Sequence, residues 1–170
     1  LQAAGHRKGD ANLIIEMGGK NLEIIGNTEA KDINGIHVDG NRNYGTKGIV
    51  KIDNVGDLTI ESNSSNKDYA HVSAIYAGGS VGKSEVVINT VDGNKTVTLK
   101  TNVEGGERAM VQAVKDSKIT INGILDTSQT NNEAVRVGAG SEVAINGGVL
   151  GGTDSTVAIR LENGGKVKIN

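Results

Sequence analysis

Few residues of this chain have both the type and the spacing to do chemistry. His37 and Asp39, in the stretch GIHVDGN, stand two apart, so on a continuing strand they share one face. A histidine beside a carboxylate is half of a proton-transfer device, but hydrolysis also needs a nucleophile or a second acid, and none is marked nearby. Asp53, Asp57 and Glu61 come nearest to a carboxylate cluster, yet they spread over a turn and a strand with no matching group opposite, as glycoside chemistry requires. The chain has three histidines (His6, His37 and His71), no cysteine, no HExxH run and no paired-histidine spacing. Thiolate sites are therefore excluded, and the expectation is no metal and no cofactor. GGSVGKS at 78–84 contains the Gly-Lys-Ser of a phosphate loop without the earlier glycine at the required spacing, and it leads into the strand EVVIN where a helix is needed.

Two columns of residues offer more than any local motif. His37, Tyr76, Gln112, Arg136 and Arg160 each lie between two inward-facing apolar residues of a short strand. Stacked one above another, they would form a polar ribbon, and arginine and tyrosine are favoured where partners are gripped. The ribbon reads as a contact surface for a glycan or a protein, with a plain solvated face as the competing reading. The second column closes another strand in each unit: Asp53, Asn89, Asn122, Asn146 and Asn170, with Glu16 before them. Asn and Asp tolerate the left-handed corner conformation and can bond along a stack, so this column reads as a structural ladder at a turn.

Both columns follow from an internal repeat. KITINGILDTSQTNNEAVRVGAGS and EVAINGGVLGGTDSTVAIRLENGG are adjacent 24-residue copies at 118–141 and 142–165, and KVKIN at Lys166 opens another. Units start at Asn12, Ile49, Glu85, Lys118, Glu142 and Lys166, separated by 37, 36, 33, 24 and 24 residues. The longer early units carry longer turns, in the regions 26–48 and 62–84, and loop insertions are thermodynamically cheap. Three alternating apolar runs recur per unit. The first gives inward pairs Leu13/Ile15, Val50/Ile52, Val86/Ile88, Ile119/Ile121, Val143/Ile145 and Val167/Ile169. The second gives Leu22/Ile24, Leu58/Ile60 and Val97/Leu99, and is less regular near Ile124 and Val149. The third gives Ile36/Val38, Ile75/Ala77, Val111/Ala113, Val135/Val137 and Ile159/Leu161.

No such unit closes a core alone, but a stack does. The fold predicted is all-β: a right-handed parallel β-helix solenoid of three short strands per coil and five to six coils, spanning 12–170 after a ragged segment at 1–11. Five coils at about 4.8 Å per strand make a stack roughly 24 Å tall. Neither end carries a cap, so the chain reads as a fragment whose bare coils are open to end-to-end self-association. A formal charge of −2, with 18 basic and 20 acidic residues scattered without blocks, argues against nucleic acid as a partner. No run of about 18 apolar residues predicts membrane insertion by this segment. There is no Cys, Pro, Trp or Phe and there are only three Tyr, so almost no aromatic surface exists on which a sugar ring could stack.

The units ITINGILDTS, VAINGGVLGGT and VTLKTN, the ending AIRLENGGKVKIN and the absence of cysteine resemble the passenger region of bacterial autotransporters of the pertactin-like β-helix type. The likeness covers roughly 12–170 and is one of repeat grammar. It implies export through a C-terminal outer-membrane barrel, display at the bacterial surface, and a role in adhesion or as a stalk. Protease or esterase activity does not carry over, because neither GDSG nor GDSL occurs. The expectation is a non-catalytic adhesin face or rigid stalk; the alternative is a carbohydrate-active β-helix, lyase-like or glycosidase-like, lacking its catalytic coils.

Overall fold

A computed structural model of the 170-residue chain describes residues 1–5, 9–29, 32–41, 45–65, 71–81, 83–103, 109–130, 133–151 and 158–170. In chain order the strands begin with β1 (Gln2–Ala4), β2 (Ala11–Glu16), β3 (Leu22–Thr28), β4 (Asp32–Asn41), β5 (Gly48–Val55) and β6 (Leu58–Ser64). They continue as β7 (His71–Val81), β8 (Ser84–Thr90), β9 (Thr96–Lys100), β10 (Val111–Ala113), β11 (Lys118–Asn122) and β12 (Ile124–Asp126). The last five are β13 (Val135–Val137), β14 (Glu142–Ile145), β15 (Val149–Leu150), β16 (Ile159–Leu161) and β17 (Lys166–Ile169).

Every third strand joins the same sheet. One six-stranded sheet runs β1-β4-β7-β10-β13-β16, a second runs β2-β5-β8-β11-β14-β17, and a five-stranded third runs β3-β6-β9-β12-β15. All neighbours pair in parallel, as a chain that winds the same way once per coil must. The molecule is a parallel β-helix, with three strands per coil and about six coils.

The sequence builds this because its strands alternate. On β5, β6 and β8, Val50, Ile52, Leu58, Ile60, Val86 and Ile88 are all fully buried while the residues between them are not. Register then stacks like on like: Ile52 pairs with Ile15 and with Ile88, and Ile121 with Ile88 and Ile145. The result is one continuous apolar core along the axis, lined by aliphatic side chains from all three sheets. A smaller cluster of Ile33, Val72 and Val103 fills the corner between the third and first sheets. At that corner Gly35 leaves no room for a side chain, since a Cβ there would stand 2.2 Å from the Ile60 methyl. A tight turn before β17 uses Asn163 and Gly164 at φ 47° and 81°, the left-handed region these two residue types accept most readily.

Three expectations change. Residues 2–4 are not ragged: β1 pairs with β4, Gln2 opposite His37 and Ala3 opposite Val38, because Gln-Ala-Ala continues the first sheet by one strand. In the irregular part of the third sheet it is Leu125, opposite Val97, that turns inward and is fully buried, while Ile124 lies opposite outward-facing Thr96. Axis-facing Ile159, Leu161 and Ile169 remain 36%, 55% and 44% exposed, since β16 and β17 are the edge strands of their sheets among the described residues.

The gradient from central to terminal coils sets an expected outcome. Ile88→Ala, at the fully buried centre, should lower unfolding free energy by about 2–5 kcal/mol. Ile169→Ala, in the same column but 44% exposed, should cost well under half as much. Urea denaturation of both variants measures this, and equal losses would contradict a core centred on the middle coils.

Candidate functional site

The first sheet carries the polar ribbon on its outer surface. Strand pairing sets Gln2, His37, Tyr76, Gln112, Arg136 and Arg160 side by side in one register column. Successive members are one strand spacing apart, about 4.8 Å.

Second in the column, between Gln2 and Tyr76, sits a histidine held on both sides. His37 Nε2 donates to Asp39 Oδ2 at 2.7 Å, and Asn34 Nδ2 donates to His37 Nδ1 at 3.0 Å. Asn34 and Asp39 thus engage both ring nitrogens and fix the orientation of the imidazole. The Tyr76 ring packs beside the imidazole with centroids 5.2 Å apart, tilted by 46°. Gly78 makes space for the phenol, since a Cβ at that position would stand 2.8 Å from the Tyr76 hydroxyl oxygen.

At the far end two arginines share one acid. Arg136 reaches Glu133 Oε2 through Nε at 2.9 Å and through Nη2 at 2.7 Å. Arg160 donates from Nη2 to Glu133 Oε1 at 2.6 Å. The Glu133 and Arg136 side chains are 13% and 17% exposed, whereas Arg160 is 45% exposed. Breaking the inner pair would strand a mostly covered charge, so Arg136 is a structural partner of Glu133 as well as a ribbon residue.

The expectation that all five ribbon residues face solvent is corrected at the middle. Gln112 is 9% exposed, flanked in its column by the longer Tyr76 and Arg136. Its Oε1 is buried without a hydrogen-bond partner, and so are Asn34 Oδ1 and Asp39 Oδ1. Such oxygens are not confined to the ribbon, since Thr46, Ser62, Ser73 and Ser117 also carry one. Sequence reasoning missed Asn34 and Glu133. Each lies three residues before a ribbon residue, His37 and Arg136, and that recurring offset is the one signal that was available.

The second column is a continuous hydrogen-bonded ladder. Asn89 Nδ2 donates to Asp53 Oδ1 at 2.5 Å, Asn122 to Asn89 at 2.5 Å, Asn146 to Asn122 at 2.7 Å and Asn170 to Asn146 at 2.5 Å. Every amide donates toward the previous coil, and Asn89, Asn122 and Asn146 each accept from the next. Asp53, at the head, also accepts an ion pair from Lys51. The Lys51 hydrogen bond chiefly, with that of Asn89, holds the Asp53 carboxyl below its ordinary 3.8 against the opposing effect of burial. The same bond raises the Lys51 ammonium above its ordinary value. The turn ladder thus satisfies its own side chains, half-buried at Asn89 and Asn122 and exposed at Asn146 and Asn170.

A further amide ladder, unforeseen in the sequence, closes the third sheet. Asn63 Nδ2 donates to Asn27 Oδ1 at 3.1 Å, and Asn63 Oδ1 accepts from the Asn102 backbone at 3.0 Å. A shallow depression of about 700 Å³ lies over Asn27, Thr28, Glu29, Asn63, Ser64, Ser65 and Asn102. The Asn102 amide is consumed by Ser64, accepting from its N–H at 2.9 Å and donating to its carbonyl at 3.2 Å. The ribbon therefore remains the better candidate site.

Among the described residues no three His, Cys, Asp or Glu side chains converge as a metal site, and no helix is long and apolar enough to cross a membrane. His6 and Gly82 of the phosphate-loop-like stretch lie outside the described residues. No family model matches the chain, and no curated protein or solved structure matches it.

The ladder head makes stability depend on acid in a specific window. With its folded value depressed, Asp53 binds a proton less readily in the folded than in the unfolded chain. Its stabilisation is complete above the unfolded value near 3.8 and is lost as pH falls through the depressed folded value. Asp53→Asn, which keeps the acceptor for Asn89, should flatten that part of the acid melting profile. Thermal melts from pH 6 down to pH 2 measure this, and superimposable profiles would refute a role for Asp53.

Proposed function

We propose that this chain is a segment of a surface-displayed passenger of the autotransporter type, a non-catalytic β-helix that presents the first-sheet ribbon as an adhesive face. On this reading it is exported through a C-terminal outer-membrane barrel and works outside the bacterial cell, touching a host or bacterial surface. One observation carries the adhesive reading. The column holds partly exposed His37, Tyr76, Arg136 and Arg160, some of them of the kinds found in contact hot spots, and on β4, β7, β10 and β13 the apolar residues on either side of the column are fully buried. A rigid sheet presents such groups without the ordering cost that a loop would incur. The repeat grammar described above adds the display context.

The test is binding of the purified chain to immobilised glycans and matrix proteins, beside the double variant Tyr76→Ala, Arg160→Ala. Arg136 is retained so that Glu133 keeps its partner. The variant should keep the β-type circular dichroism and the melting temperature of the parent while losing binding by at least about tenfold, the effect of removing one hot-spot residue. Binding by the variant equal to that of the parent would overturn the ribbon as the adhesive face. Absence of binding by both would leave the chain as a rigid stalk.

A further inference from the structure

Asparagine followed by glycine is the dipeptide most prone to react with itself, because glycine has no side chain to obstruct the approach. The glycine N–H loses its proton, the nitrogen attacks the asparagine Cγ, and the side-chain amide leaves as ammonia. Water then opens the cyclic imide to aspartate or isoaspartate. The chain holds four such pairs: Asn34-Gly35, Asn122-Gly123, Asn146-Gly147 and Asn163-Gly164. Local sequence makes them alike, and the fold sets them apart. Asn122 and Asn146 are rungs of the turn ladder, each amide bonded on both sides. A Cβ on Gly123 would stand 2.8 Å from the Lys95 carbonyl oxygen, and one on Gly147 2.6 Å from the Gly123 carbonyl oxygen, so neither backbone has room to turn. Asn34 is bonded to His37 within β4, and Gly35 is pressed against Ile60.

Asn163-Gly164 escapes all of these restraints. Both residues are exposed, in the left-handed turn before β17. Among the described residues the Asn163 side chain makes no hydrogen bond, and nothing lies within 4 Å of a Cβ built on Gly164. This openness belongs to the corner itself, because Ala139 and Gly140, one coil earlier, are exposed although another coil follows them. We propose that Asn163 is a self-modification site, which converts to aspartate and isoaspartate with water as the only co-reactant, while the fold protects the other three pairs. Protection matters most in the ladder. A carboxylate at 122 or 146 would bring no donor to the amide oxygen of the earlier coil. Conversion at 163 breaks no side-chain hydrogen bond and adds a negative charge beside Glu162.

Incubation of the folded chain at mildly alkaline pH, followed by peptide mapping with mass spectrometry, tests this, since each converted amide changes in mass and isoaspartyl peptides elute separately. The same incubation in urea is the control. Unfolded, all four pairs should react at similar rates. Folded, Asn163 should convert at least about tenfold faster than Asn34, Asn122 or Asn146, because an opening that costs ~1.4 kcal/mol already slows reaction through the open form by that factor. Isoelectric focusing of the aged chain should show a more acidic form. Asn163→Gly, which suits the left-handed turn, should abolish that form at an unchanged melting temperature. An Asn163 that stays intact in the folded chain while the unfolded chain reacts would overturn the inference. So would any of the other three pairs keeping pace with it in the folded chain, or an acidic form that persists in folded Asn163→Gly.

Discussion

One constraint governs this molecule: each coil must stack on the next in register, residue upon equivalent residue. Parallel strands with a period of two allow no compromise, because a slip by one residue would turn Val86 and Ile88 to water and Val87 into the core. Ile15, Ile52, Ile88, Ile121 and Ile145 form one unbroken line of matched side chains, and every other column inherits its position from such lines. The ribbon is one of these inherited columns. Its members are far apart in sequence, and only the stacking brings them together.

The corner ladder adds direction to that stacking. An apolar column is indifferent to which coil lies above which, but an amide that donates one way and accepts the other is not. From Asn170 to Asp53 the donors all point toward the earlier coil, and the series ends on a carboxylate that accepts from both Asn89 and Lys51. A carboxylate closes such a chain because it has acceptor capacity and no donor to leave unmatched. Asn residues are therefore required at 89, 122 and 146 for a reason distinct from their tolerance of tight turns.

Much of this was legible in the sequence, and the reasons differ by element. The axis-facing pairs of the first and third runs could be read from alternation alone, since burial follows directly from the pleat. The ladder could be read from the residue type that closes each strand. Gln112 could not. Whether an outward residue is exposed depends on its neighbours across strands, and Tyr76 and Arg136 flank it on both sides. Glu133 lay outside the strand pattern, so its bridge between two arginines needed the positions of side chains from two coils. The choice of Leu125 over Ile124 was ambiguous because both are apolar in a strand of only three residues, and pairing with Val97 decides it. Residues 2–4 were unreadable because QAA is too short and too small to show a period.

The central claim is that the columns are physical neighbours in this register, and a chain without cysteine allows a direct measurement. Val87 and Thr120 lie opposite one another on the outer surface of the second sheet, both partly exposed. At a strand spacing of about 4.8 Å their Cα atoms fall within the range a disulfide spans. The double variant Val87→Cys, Thr120→Cys should oxidise quantitatively to an intramolecular disulfide under mild conditions, detected by mass spectrometry. The offset pair Ile88→Cys, Thr120→Cys should not, since its two side chains point to opposite faces. Cross-linking of the offset pair in preference to the matched one would contradict the register, and with it the ribbon, the ladder and the site built on them.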